Sequence, residues 1–164
     1  MNDGAMHETI RGLYRGVLEP QAWQRSLHAL CELSGSVQAS LLILDTEQNT
    51  VYVRQTVDRT PENRTASPSP FDRMQNGLPF AHKLPIGAWH IDRYKATCAI
   101  AMQDAYGDES SMEVGAASIM ACLVDRTPSQ EIYLTLHRPS GRDGYSEGDA
   151  RALDWIIPHL REAI

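Results

Sequence analysis

This 164-residue chain lacks most of the marks of a catalyst. It has no G-x-S-x-G, no P-loop and no G-x-G-x-x-G, so the nucleophile-elbow, phosphate-cradling and dinucleotide-binding chemistries have no sequence support. Cysteine is scarce: Cys31, Cys98 and Cys122 are widely spaced, odd in number and without a C-x-x-C pair. They are expected to be reduced core thiols rather than disulfide or zinc partners. No window approaches the roughly 18 apolar residues that a membrane span needs. Met1-Asn2-Asp3-Gly4 has neither a basic start nor an apolar run behind it, so no secretory signal and a cytoplasmic location are expected. An excess of cations is also missing. The formal charge of −6 argues against direct contact with nucleic acid, which rests on basic patches against phosphate.

What is present is an ordered series of amphipathic segments, sized for one domain over 1–164. His7 to Leu18 carries Ile10, Leu13, Tyr14, Val17 and Leu18 on one side of a helix, and Gly12 and Gly16 would let a second helix approach closely. Pro20 suits the first turn of that second helix, which runs to Leu33. Val37 to Leu44 is a strand whose consecutive apolar residues Leu41 to Leu44 require cover on both faces, and Thr50 to Val57 returns from it as a hairpin.

The middle of the chain is less regular. Asp58 to Pro70 has three prolines and no large apolar residue, so a mobile loop is expected over 57–70. Short helices are expected at Phe71 to Leu78 and Tyr94 to Gln103, with a strand at Ile86 to Ile91 between them. Two clearer strands follow, Gly115 to Val124 and Glu131 to Arg138. In the second, Ile132, Leu134 and Leu136 alternate with Tyr133, Thr135 and His137.

The last segment, from Gly141, is the most legible. Ser146 and Asp149 form an N-terminal capping pattern, and Leu153, Ile156, Ile157, Leu160 and Ile164 make an apolar helical stripe. Pro158 should kink that helix near Asp154. The pattern stops at Ile164 without a C-cap, which leads to the expectation of a further domain or partner helix beyond it.

These residues also carry a resemblance. Tyr145-Ser146-Glu147 through Pro158-His159-Leu160-Arg161-Glu162-Ala163 resembles the segment that closes the N-terminal sensor domain of many LuxR-type helix-turn-helix transcription regulators. Pro20, Trp23, Leu27 and Leu30 match the "P..W…L..L" pattern of that family's first helices. The resemblance implies a ligand-sensing and dimerisation domain, with a DNA-binding domain expected to follow outside this chain. The acyl-homoserine-lactone branch of the family has a Trp-x-x-x-Tyr element followed by Asp-Pro; this chain has neither, so a lactone is not expected.

The element order and the resemblance lead to one expected fold: α+β, GAF/PAS-like, with an antiparallel sheet of five or six strands. The N- and C-terminal helices should cover one face and the irregular middle the other. A small-molecule pocket over that second face would be lined by Trp89, His90, Tyr94, Cys98, Met102, Tyr133 and His137. A homodimer interface is expected along Leu13, Val17, Ile156, Ile157, Leu160 and Ile164. No cofactor or metal is expected. Two other readings stay open: a ligand-free dimerisation or protein-interaction module of the same fold, and a small metal-dependent enzyme using His90 and Asp92. In the latter, the H-x-D with a distal His137 or His159 imitates a two-histidine, one-carboxylate site.

Overall fold

Period-two alternation in the strands decides how this molecule is layered. The computed structural model describes residues 3–48, 50–59, 84–93, 116–139 and 142–164. In chain order they form α1 (Asp3–Gly16), α2 (Pro20–Ser34), β1 (Gln38–Asp45), β2 (Thr50–Asp58), β3 (Trp89–Arg93), β4 (Ala116–Arg126), β5 (Gln130–Pro139), α3 (Glu147–Leu153) and α4 (Ile156–Ala163). The five strands make one sheet in the order β2-β1-β5-β4-β3, and every pairing is antiparallel. The fold is the expected α+β arrangement. The expected short helices at 71–78 and 94–103 fall outside the described residues, as does 60–70 of the loop expected over 57–70; Val57 and Asp58 belong instead to β2, paired with β1.

On one face of the sheet stand Ala39, Leu41, Val57, Met120, Cys122, Ile132, Leu134 and Leu136. They share a single buried cluster with Leu13, Trp23, Leu27, Leu30, Leu153, Ile156 and Leu160 of the helices. The helix layer therefore sits on this face, with α2 over β1 and β2, α4 against β4, and α1 bridging α2 and α4. The alternation read in β5 is the observed one. Its even-numbered residues meet the helices and its odd-numbered residues face away.

The α1–α2 contact is close because Gly12 and Gly16 have no side chains. A Cβ on Gly16 would lie 1.9 Å from the Trp23 ring, and one on Gly12 would lie 2.1 Å from Ser26 Oγ. α2 ends where Gly35 takes a left-handed φ of 67°, and the Ser36 amide then reaches back to the Cys31 carbonyl at 2.9 Å.

At the other end of the chain, the predicted capping box is present. The Ser146 hydroxyl accepts from the Asp149 amide, and the Asp149 carboxylate accepts from the Ser146 amide at 2.8 Å. The single kinked helix is corrected to two helices broken at Asp154 and Trp155. Pro158 supplies no N–H to the Asp154 carbonyl, which accepts instead from the Ile157 amide at 3.3 Å. That tighter turn resets the helix axis, and Pro158 falls in the first turn of α4, where a missing N–H costs least.

The stripe expected to pair with a second copy is largely consumed inside one chain. Leu13 and Leu160 are fully buried, and Ile156 and Ile157 are buried with them, because all four helices contribute to one core on one side of the sheet. A charge at Leu160 would consequently report on folding and not on association. Of the six named interface residues, Val17 is 60% exposed and Ile164 is half-buried.

Gly16→Ala is expected to force α1 away from Trp23 and to cost about 1–3 kcal/mol through overpacking. Urea denaturation followed by tryptophan fluorescence checks this, and an unchanged midpoint would mean that the two helices are not in tight contact.

Candidate functional site

The second face of the sheet is the unusual one. Strand register places Thr56, Ser40, Thr135, Ala121 and His90 in one row across the sheet. The adjacent row runs Asp58, Gln38, His137, Ile119 and Asp92, and on the other side Leu42, Tyr133 and Leu123 are aligned. None of Leu42, Leu44, Ile119, Ala121, Leu123 or Tyr133 belongs to the helix-side core, yet all are buried. Buried polar groups stand among them: Ser40, Glu131, Thr135 and His137. A sheet face that mixes apolar walls with a few buried polar groups has the composition of a small-molecule site.

Among the described residues, several hydrogen bonds on this face join neighbouring strands. Ser40 Oγ and Thr56 Oγ1 are 2.8 Å apart, and the Thr135 hydroxyl donates to the Ser40 carbonyl at 3.5 Å. At one end of the face the Glu131 carboxylate is buried but doubly satisfied. It accepts from Arg126 Nε and from the Tyr133 hydroxyl, each at 2.6 Å. Pairing of this kind is the condition for keeping a charge in an apolar setting. Arg126 also donates to the Leu84 carbonyl at 3.3 Å, which ties the approach to β3 against the β4–β5 turn. Burial, and then the bond to Glu131, raise the Tyr133 phenol above its ordinary pKa, so it remains a neutral donor.

Burial also changes the chemistry of His137. Loss of solvation lowers its pKa from 6.5 to about 4, and the charge of Asp58 opposes this only in part. At neutral pH it is therefore an uncharged imidazole set in the sheet.

Of the seven residues expected to line a pocket, the structure brings His90, Tyr133 and His137 to this face. Trp89 goes to the other face by strand alternation. It packs against the helix-side core and its Nε1 donates to Asp154 at 3.0 Å, across the break between α3 and α4. Tyr94, Cys98 and Met102 lie outside the described residues. Ser40, Thr135 and the Arg126–Glu131 pair are added by the structure. Thr135 was legible, since it falls between Tyr133 and His137 in the same alternation. Ser40 was hidden in an apolar run, and the Glu131 pairing depends on a turn that brings Arg126 back. His159, an alternative ligand in the metal reading, is far from this face: it lies beside Tyr14, with Nδ1 3.1 Å from the phenol oxygen. The described residues contain no cluster of three or more metal-ligating side chains. Cys31 and Cys122 are free and buried, and burial pushes both thiols up to about 12, which leaves them unreactive.

A depressed native pKa at His137 makes stability depend on acid in a defined direction. Between 6.5 and about 4 the unfolded imidazole binds a proton that the native one refuses, so stability falls as the pH drops through that window. The expected loss reaches up to about 3 kcal/mol. His137→Gln should flatten the part of the acid limb due to this residue. Denaturant melts of both proteins at intervals across that pH range measure it; parallel curves would contradict the buried neutral state.

The chain matches no protein-family model and no curated protein sequence. Solved structures do resemble it. The phycoerythrobilin-bound GAF domain of a cyanobacterial phytochrome aligns with a TM-score of 0.64 at 16% identity, over 99% of this chain and 94% of that one. The VqsR LBD domain from Pseudomonas aeruginosa aligns with a TM-score of 0.60 at 13% identity, over 98% and 94%. The GAF domain of an Acinetobacter phosphoenolpyruvate-protein phosphotransferase gives 0.55 at 13% identity, over 99% and 93%. With nearly the whole chain superposed on structures of GAF domains, this protein has the GAF fold.

Proposed function

We propose that this chain is a small-molecule-sensing domain of a LuxR-type transcription regulator, with its ligand seated on the sheet face opposite the terminal helices. The observation that carries the reading is the buried polar group Ser40, Thr135 and His137 on two adjacent rows, set among Leu42, Ala121 and Tyr133 on a face that no described helix covers. The neighbours support it in kind: one carries a bilin, and another is a domain named as an LBD. The resemblance of Tyr145 to Ala163 to the segment that precedes the DNA-binding helices in LuxR-type regulators supplies the regulatory role. With a net charge of −6, contact with DNA would fall to a helix-turn-helix domain outside this chain. No helix among the described residues is long and apolar enough to cross a membrane.

The mechanism is a population shift. β5 is central to the sheet, with His137 turned to the ligand face and Arg138 turned to the helices. Arg138 donates to the Ser34 carbonyl at 2.7 Å and to Asp149 at 2.8 Å, and its guanidinium lies 4.3 Å from the centre of the Tyr145 ring. A ligand that favours one position of β5 would thereby bias the end of α2 and the start of α3. The homodimer belongs to the same proposal, with Val17 and Leu18, 60% and 88% exposed, as the available apolar contacts at the α1–α2 turn.

Two measurements test these claims separately. Protein purified from its native host should release a stoichiometric small molecule on denaturation, detected by mass spectrometry. Ala121→Leu should lose that molecule while keeping a cooperative melt. If nothing is released, and no compound of a broad metabolite panel raises the melting temperature, the ligand-free interaction module becomes the better reading. For association, light scattering of Val17→Asp should give half the mass of the parent protein; an equal mass would remove this turn from the interface.

A further inference from the structure

A second site lies on the outer side of the helix layer, away from the sheet. α1 contributes Glu8, Arg11 and Arg15 to one wall of a cleft, and α2 contributes Arg25 to the other, around a floor of small residues that includes Gly12 and Ser26. The spacing is helical on both sides, so the cleft follows from the glycine-mediated approach of α1 to α2. Its volume is about 150 Å³.

The charge balance there runs against that of the whole chain. Three guanidinium groups face one carboxylate in a protein of net charge −6. The Arg11–Glu8 pair is long, at 3.4 Å, and open to solvent, so it neutralises little. Neither Arg15 nor Arg25 has an ion-pair or side-chain hydrogen-bond partner among the described residues. The hydroxyls of the floor are already committed as donors, Ser26 to the Thr9 carbonyl at 3.0 Å and Thr9 to the Ala5 carbonyl at 2.8 Å. The donors that remain are those of the arginines. A guanidinium fork matches the edge of a tetrahedral oxyanion with two parallel hydrogen bonds, and a doubly charged anion would relieve the mutual repulsion of the cations.

We infer that the α1–α2 cleft binds a phosphate group, held between Arg15 and Arg25 with Arg11 at its margin. The chemistry is the same for free inorganic phosphate and for the phosphate of a nucleotide. This site is independent of the sheet face and would persist if that face held no ligand.

The test is thermal unfolding at constant ionic strength in chloride, sulfate, inorganic phosphate and a nucleoside monophosphate. Inorganic phosphate at ten times its dissociation constant should raise the folding equilibrium constant about tenfold over chloride. The double variant Arg15→Gln/Arg25→Gln, both at exposed positions and so expected to fold, should lose that gain, whereas Ala121→Leu should keep it. A nucleoside monophosphate effective at lower concentration than inorganic phosphate would identify a carried phosphate, and equal potency would identify the free ion. The proposal is overturned if phosphate acts no differently from chloride, or if the double variant responds like the parent protein.

Discussion

One sheet buried on both faces is the constraint on which everything else in this protein rests. A strand whose two sides must both be covered cannot present a polar edge to water, and β1 meets that demand with Leu41 and Leu42 buried on opposite faces. The two faces are covered for different ends. Towards the helices, a continuous apolar cluster fills the layer, and Arg138 and Trp89 add polar ties at its edges. On the far side, hydroxyls, an imidazole and the Glu131 carboxylate are buried among apolar residues such as Leu42, Ala121 and Leu123. Polar groups in such a place cost free energy unless they are hydrogen-bonded. Their placement on a central strand gives the far face a chemistry that a purely structural core would not require.

Rigidity of the helix side follows from two local devices. The glycines of α1 let Trp23 and Ser26 sit against its backbone, so that the first two helices behave as one body. Arg138 ties that body to the end of the chain through the Ser34 carbonyl, the Gly144 carbonyl and Asp149. Burial would raise the pKa of the Asp149 carboxyl, but the bonds from Arg138 and Ser146 outweigh it and hold the group below its ordinary value. Nearby, the Tyr145 hydroxyl lies 2.6 Å from Ser36 Oγ, which joins the turn after α2 to the start of α3. A movement of β5 would therefore be felt at both ends of the helix layer. It would reach the joint between α3 and α4 separately, through Trp89 and Asp154.

Much of this was legible in the residues. Strand positions, the two hairpins, the capping box at Ser146 and the helix-permitting glycines follow from local rules: alternation, turn chemistry and the steric smallness of glycine. Pro158 announced a disruption near Asp154, where it lies, but the result was two helices instead of one bent one. Three pocket residues could be grouped because Tyr133 and His137 share a strand face and His90 sits in register with it. Trp89 was assigned to that face because it is large and apolar, although its neighbour His90 necessarily points the other way.

The sequence by itself determined the four longer strands, the first two helices, the two-sided burial of the sheet and the polar stripe on β5, since each depends only on residues a few positions apart. Tertiary structure alone decided that the stripe of α1 and α4 would be used within one chain, because the number of helices sharing a face sets how much apolar surface is left. It also decided that Arg15 and Arg25 would share a cleft. Charges separated along the chain acquire a common environment only when the elements carrying them have packed.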